Sequence, residues 1–173
     1  MAGTLGGERH ADLRGDDGRS CSASQRTGEG QDMADPIKVL FVCTGNSVRS
    51  QMAEGFAQHL GGGRIEAHSA GMEPSRLNPF AVRAMQEKGI DISGQTSKAF
   101  DETLARGMDV VVTVCGNADE RCPVLPPEVR RLHWPLEDPA KLRGTEGEII
   151  AKFREIRDQI EVQVSALVRD LAA

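Results

Sequence analysis

Residues 39–55 read VLFVCTGNSVRSQMAEG: an apolar run ends on Cys43, small polar residues follow, and Arg49 returns six positions later. A thiolate and a guanidinium at this spacing suit chemistry on a tetrahedral oxyanion. Backbone N–H groups converge where a chain turns into a helix start, and Gly45 allows close approach. Thr44, Gly45, Asn46, Ser47, Val48, Arg49 and Ser50 would form the cradle, with the Arg49 fork matching the anion's oxygens. The same positive field favours the thiolate of Cys43, its nucleophilic form. Two plainer explanations compete. A cysteine at a strand end is usually core, and a bare Cys-x5-Arg arises by chance. The order strand, Cys, polar loop, Arg-Ser, helix favours the cradle. A nucleotide P-loop needs Gly-Lys-Ser/Thr after its loop. Arg49 and Ser50 stand there instead, and no GxGxxG follows a strand.

The elements that must position these residues follow from periodicity. IKVLFVC (37–43) is a short β-branched run and predicts a buried strand. SVRSQMAEGFAQHLGGG (47–63) predicts a helix with Met52, Phe56 and Leu60 on one face, stopped by glycines. RIEAHSAG (64–71) reads as a second strand. LNPFAVRAMQEKG (77–89) predicts a helix with Asn78 as N-cap, Pro79 at its first position and Gly89 as terminator. KAFDETLARG (98–107) suggests a short helix, MDVVVTVC (108–115) the clearest buried strand, and RRLHWPL (130–136) a weaker one. Residues 145–173 predict a long helix whose stripe is Ile149, Phe153, Ile156, Ile160, Val164, Leu167 and Leu171. Alternating strands and helices imply an α/β fold: a four-stranded parallel sheet covered on both sides, in three α/β/α layers. Ligands bind such sheets beyond the carboxyl ends of the strands, where Cys43 is expected.

Composition narrows the function. A chain of 173 residues suits one domain with a real core. The net charge of -5 argues against bulk binding of nucleic acid or anionic membrane. Tyrosine is absent and aromatics reach only 3%, too few for base-stacking platforms. No apolar run approaches the ~20 residues of a membrane span, and residues 1–34 lack a secretory apolar core. A cytoplasmic monomer is expected. In that compartment the four cysteines read as reactive or metal-binding, not as structural staples. Residues 1–34 are Gly-rich and of mixed charge, with few large apolar residues beyond Leu5 and Leu13, which predicts a disordered tail. Met33 is a candidate working start, nothing supports a partner-binding tail, and Cys21 reads as incidental. Residues 35–173 form the expected domain.

CTGNSVRSQMAEG resembles the active-site loop of the low-molecular-weight tyrosine phosphatase superfamily, and most closely its thioredoxin-coupled arsenate reductases. The resemblance runs from about Ile37 to the C-terminus and includes HSAGMEPSRLNPFAVRAM, VVTVCGNADERCPVLPP and HWPLEDPA in order. It implies a phosphatase-I-like fold and an enzyme that acts on arsenate, with phosphate or sulfate as competing oxyanions. The alternative within the superfamily is a phosphatase hydrolysing phosphomonoesters. Both share a first step, thiolate attack on the bound oxyanion. Arsenic allows a second: another thiol attacks the Cys–arsenate adduct, As(V) becomes As(III), and a disulfide remains.

Cys115 and Cys122, seven positions apart, are the candidates for that thiol chemistry. Cys115 is expected to end the third strand on the same rim as Cys43, with Cys122 in a loop or short helix that must move if the two are to bond. Isolated structural thiols are one alternative. Zinc is another, but it favours Cys-x2-4-Cys pairs with further ligands, and only His133 follows, so no metal and no cofactor are expected. The resemblance implies a relay: Cys43 as nucleophile, a Cys43–Cys115 disulfide, then Cys115–Cys122, which thioredoxin reduces. It also maps the general acid to Asp138 of Asp138-Pro139, although an Asp-Pro in a loop is otherwise a turn. Phosphatases of this fold usually place tyrosines just after that Asp-Pro, and this chain has none.

Two positions depart from the resemblance. Val48 stands where relatives often carry another cysteine, with little effect expected. Lys98 stands where some relatives place an Asp that, with counterparts of Asn46, Glu54 and Ser69, binds potassium behind the loop. A lysine cannot ligate a cation. The Lys98 ammonium is therefore expected to replace the ion, pairing with Glu54 and bracing Asn46, unless it simply points to solvent.

Overall fold

The computed structural model describes residues 34–173. Except for Ala34, the tail expected over residues 1–34, with Cys21, lies outside the described residues. In chain order the elements are β1 (Ile37–Cys43), α1 (Arg49–Gly61), β2 (Ile65–Gly71), α2 (Pro79–Gln86) and α3 (Glu102–Arg106). Then come β3 (Val110–Thr113), α4 (Gly116–Arg121), β4 (Arg130–His133), a 3-10 turn at Pro139–Lys141, and α5 (Glu146–Ala172).

All strand pairs are parallel, in the order β2-β1-β3-β4. β1 is central, and Val39, Leu40, Phe41 and Val42 are wholly buried. That explains its continuous apolar run, since a strand covered on both faces has no polar side to alternate with. The β1–α1–β2 and β3–α4–β4 connections step in opposite directions across the sheet. Right-handed crossovers then put α1 and α4 on opposite faces. The direction reverses between β1 and β3, where open α/β sheets form their ligand crevice.

Several local expectations shift. β3 ends at Thr113, short of the apolar run; Val114 makes one more bond to β1, its N–H to Val42 O at 2.8 Å, and the chain then turns into α4. Cys115 is consequently the N-cap of α4, not the end of the strand. α3 starts only at Glu102, since Asp101 caps the N–H groups of Thr103 and Leu104, while Ala99 bridges to Gly71. α2 has Asn78 as its N-cap and Pro79 at its start, as expected, but ends at Gln86, before Gly89 turns with φ 75°. Met52 and Phe56 are core, whereas Leu60 is 37% exposed where Gly61 and Gly62 close α1. On α5 a Thr145–Glu148 capping box starts the helix, and Ile150 is buried more deeply than Ile149. Among the described residues no helix is long and apolar enough to cross a membrane.

A charged clasp joins α2 to α5. Arg157 is 7% exposed and donates to Ala84 O and Glu87 Oε2, both at 2.9 Å. Arg154 grips the same carboxylate through Nε and Nη2. Hydrogen bonds from Arg154, with those from Arg157, hold the Glu87 carboxyl at about 2, against an ordinary 4.5. A depressed carboxyl stabilises the fold above its unfolded value, and that stability disappears as pH falls through the folded one. Glu87→Gln is therefore expected to be less stable than the parent at neutral pH. The gap should close as pH falls from 4.5 toward 2, read from urea midpoints across that range.

Candidate active site

The cradle begins at Cys43, the last residue of β1, which is 2% exposed. Its Sγ accepts the Asn46 N–H at 3.1 Å and lies 2.9 Å from Ser50 Oγ. Both groups can support negative charge on sulfur. No side chain caps α1 at Val48, so the N–H groups of its first turn stay open to an anion. The left-handed residue of the loop is Asn46, with φ 46°. Gly45 lies outside that region. A Cβ there would meet Ser75 Oγ at 3.2 Å, so this glycine makes room for a neighbouring segment.

That segment, residues 72–78, lies along the cradle like an extra strand. Its N–H groups bind the cradle carbonyls: Met72 to Cys43 at 3.1 Å, Glu73 to Thr44 at 2.8 Å, Ser75 to Gly45 at 2.9 Å and Asn78 to Ser47 at 3.0 Å. With these carbonyls held on one side, the loop's own N–H groups can face the other, where an oxyanion would sit. The segment can approach because residue 71 is glycine. A Cβ at Gly71 would lie 2.7 Å from both Asn46 N and Thr44 O.

Asn46 is wholly buried and joins the cradle to residues 96–98. Its carbonyl accepts from Gln51 Nε2 at 3.0 Å and Ser97 Oγ at 2.6 Å. Its Oδ1 accepts from the Lys98 N–H at 2.7 Å and Gln51 Nε2 at 3.1 Å, and its Nδ2 donates to Ser50 Oγ at 2.8 Å. The Lys98 ammonium lies 3.6 Å from Glu54 Oε2 and donates to Thr96 O at 2.9 Å. Ser69 Oγ donates to the same Glu54 oxygen. Lys98 thus reaches Asn46 through its backbone, not through its ammonium. A potassium ion does not fit this donor set, because a donor-only ammonium already occupies the side chain's approach to Glu54.

Across the rim, Arg49 is 6% exposed. Its Nη1 donates to Leu136 O at 2.9 Å and its Nη2 pairs with Asp138 Oδ2 at 3.2 Å. The other oxygen of Asp138 accepts the Ala140 N–H at 3.1 Å, so this Asp-Pro makes a turn and faces Arg49 at once. Glu137 turns away to Lys152, at 2.8 Å. A cavity of about 360 Å³ opens here, lined by Thr44, Arg49, Cys115, Asn117, Asp138 and Lys141 among others. It has room for a small oxyanion.

All three described cysteines are free thiols, and all are buried. Cys115 Sγ lies 3.4 Å from Thr44 Oγ1 and accepts the Ala118 N–H at 3.4 Å. Cys122 caps the other end of α4, and burial pushes its thiol up from the ordinary value. Cys43 and Cys115 flank the reversal point of the sheet, whereas Cys122 is held off by the length of α4. Among the described residues no cluster of three His, Cys, Asp or Glu side chains could hold a metal.

The sequence profile of the low molecular weight phosphotyrosine protein phosphatases matches residues 38–173. The chain belongs to this family. It is 52% identical over 122 residues to the arsenate reductase of Bacillus subtilis (strain 168), covering 70% of this chain and 88% of that one. The arsenate reductase of Staphylococcus xylosus is 44% identical over 130 residues, 75% of this chain and 95% of the relative. The solved structure of an arsenate reductase in the phosphate binding state shares 42% identity at a TM-score of 0.62, over 78% of this chain and 98% of that one. A low molecular weight protein tyrosine phosphatase from T. tengcongensis shares 25% identity at a TM-score of 0.66, over 78% and 99%. The phosphatase-like α/β fold, with its Cys-x5-Arg loop after the first strand, is the family's.

Sequence reasoning missed Gln51, Ser97, Asn117 and the 72–78 segment. Residues 72–78 fell inside a stretch that carried the resemblance, but no spacing rule ties a strand's exit to a distant loop. The close approach gives a direct test. Gly71→Ala is expected to cost about 1–3 kcal/mol of stability through overpacking, and to abolish any rise in melting temperature on adding phosphate. Both come from the same thermal melts.

Proposed function

We propose that this protein reduces arsenate to arsenite by a thiol–disulfide relay, as a cytoplasmic monomer recharged by thioredoxin. The observation that carries the proposal is the pair Cys115 and Cys122, capping the two ends of α4 beside the Cys43 cradle. A phosphatase would need neither. The similarity to arsenate reductases at 52% identity, against 25% for a tyrosine phosphatase, supports the same choice. Residues 35–173 constitute the catalytic domain, and residues 1–34 stand outside the chemistry.

The cradle amides and Arg49 take the oxyanion, with phosphate and sulfate as competitors. Arg49 exchanges Asp138 for the anion, which leaves that carboxyl at the rim beside a departing oxygen. The Cys43 thiolate attacks arsenic, and one oxygen leaves as water with a proton from Asp138. Cys115 then attacks Cys43 Sγ. The sulfur–arsenic electron pair passes to arsenic, arsenite leaves, and a Cys43–Cys115 disulfide forms. Cys122 attacks Cys115, which releases Cys43 as thiolate and leaves Cys115–Cys122 for the dithiol of thioredoxin. Ser50 and Asn46 support charge on Cys43, both when it attacks and when it departs.

Arsenate-dependent NADPH oxidation with thioredoxin and its reductase tests the relay. The parent should turn over continuously, Cys122→Ser should stop after about one turnover, and Cys43→Ser should not start. Asp138→Asn should slow adduct formation, by roughly 10²–10⁴-fold, with both disulfides still formed. Continuous turnover by Cys122→Ser would remove the relay.

Lys98 takes the place of a loop-bracing cation, through its ammonium on Glu54 and its N–H on Asn46. Activity should then be equal in potassium and sodium buffers of one ionic strength. A large stimulation specific to potassium would sink this assignment.

A further inference from the structure

Helix α4 is the part of the site that must come apart, yet little apolar packing holds it. It has six residues, of which only Ala118 is buried. A helix this short has no stability of its own. Cys115 and Cys122 cap its ends, roughly 10 Å apart along the axis at ~1.5 Å per residue. A disulfide requires Cα atoms within about 7 Å. The helix has to unwind before the two can bond.

A polar clasp centred on Asp119 opposes that. Its Oδ1 accepts from Thr113 Oγ1 at 2.8 Å and from Arg131 Nη2 at 2.9 Å. The same Arg131 nitrogen holds the Asp119 carbonyl at 2.5 Å, so one guanidinium grips side chain and helix backbone together. His133 Nδ1 lies 2.9 Å from Thr113 Oγ1 and 3.7 Å from the carboxylate. If the Thr113 hydrogen goes to Asp119, the His133 ring N–H donates to Thr113, and every group in the chain is satisfied. Thr113 is wholly buried at the end of β3, and Arg131 and His133 stand on β4. Hydrogen bonds from Arg131 and Thr113 keep the Asp119 carboxyl below its usual range. The second tie, Arg121 to Glu73, is exposed on both sides and contributes little.

We propose that Asp119 is a positioning residue that latches α4 to β3 and β4 and holds Cys122 away from Cys115 in the reduced protein. This rests on the relay reading above. An unlatched Cys122 would let any disulfide oxidant consume Cys115 before it met an arsenic adduct, with the enzyme idle for one reduction cycle. Once Cys43–Cys115 has formed, opening the clasp brings Cys122 in. Its thiolate attacks Cys115 Sγ, one S–S bond replaces another, and Cys43 leaves as thiolate. The exchange has no net oxidation, and the Cys122 proton goes to solvent.

The test uses the reduced full-length protein without arsenate, treated with iodoacetamide, with the rate at each cysteine followed by mass spectrometry. Cys122 is buried, so its alkylation reports opening of α4. Asp119→Ala should raise the Cys122 rate by about tenfold or more, with the Cys43 rate unchanged. Asp119→Asn keeps an acceptor oxygen for Thr113 and Arg131 and should restore most of the protection. Thr113→Val, which removes the opposing donor at nearly constant volume, should shift Cys122 in the same direction. An unchanged Cys122 rate in both Asp119→Ala and Thr113→Val would overturn the latch. So would equal increases at Cys43 and Cys122 with a lower melting temperature, which is general loosening. The readout needs no arsenate, so it stands apart from the turnover assay that tests the relay.

Discussion

Everything at this site depends on where four carbonyl groups point. The carbonyls of Cys43, Thr44, Gly45 and Ser47 are bound by N–H groups of residues 72–78. A loop turned this way can aim its amide hydrogens to the opposite side, which is what an oxyanion and the Cys43 sulfur require. The arrangement depends on one missing atom, the Cβ of Gly71. It also depends on Asn46 holding a left-handed backbone, a conformation that costs free energy unless the surroundings over-determine it. Gln51, Ser97, Ser50 and the Lys98 N–H do so with hydrogen bonds to every polar group of that side chain and to its carbonyl. These bonds fix the shape of the cradle from within the protein, and preorganisation is where such sites find most of their electrostatic effect.

The two halves of the site are held by different forces. The Cys43 side sits on β1, with its apolar core of fully buried residues. The Cys122 side sits on a six-residue helix held by exposed or half-buried polar contacts. Apolar burial is lost only by unfolding, whereas a clasp of hydrogen bonds and one ion pair can open locally and close again. A relay that needs one fixed thiol and one travelling thiol calls for this division.

Behind the cradle, the Lys98 ammonium stands beside a buried carboxylate. Glu54 is 7% exposed and accepts from Ser69 and Gln58, with the Lys98 ammonium 3.6 Å away. The carboxylate faces a lysine and the exposed Gln58 amide at its outer edge and the buried Ser69 hydroxyl within. Since Lys98 is partly exposed, the strongest link to the loop comes from its backbone N–H. The side chain compensates the charge while the backbone sets the geometry.

The β-branched run at 37–43, the helix that follows the loop, the Asn78-Pro79 cap and the α5 stripe were legible because each is a local pattern with a local cause. Cys43, Arg49, Cys115 and Cys122 could be singled out by residue type, and the relay that joins the cysteines by resemblance. Tertiary structure decided the rest. It moved Cys115 from a strand end to a helix cap, put the loop's left-handed residue at Asn46, and braced Asn46 through the Lys98 backbone where the ammonium was expected to do so. It brought residues 72–78 and Asp119 to the site without any local signature. Periodicity records which face of an element is buried. The pairing of one loop's carbonyls with another loop's amides leaves no side-chain pattern, because the groups that meet are common to every residue.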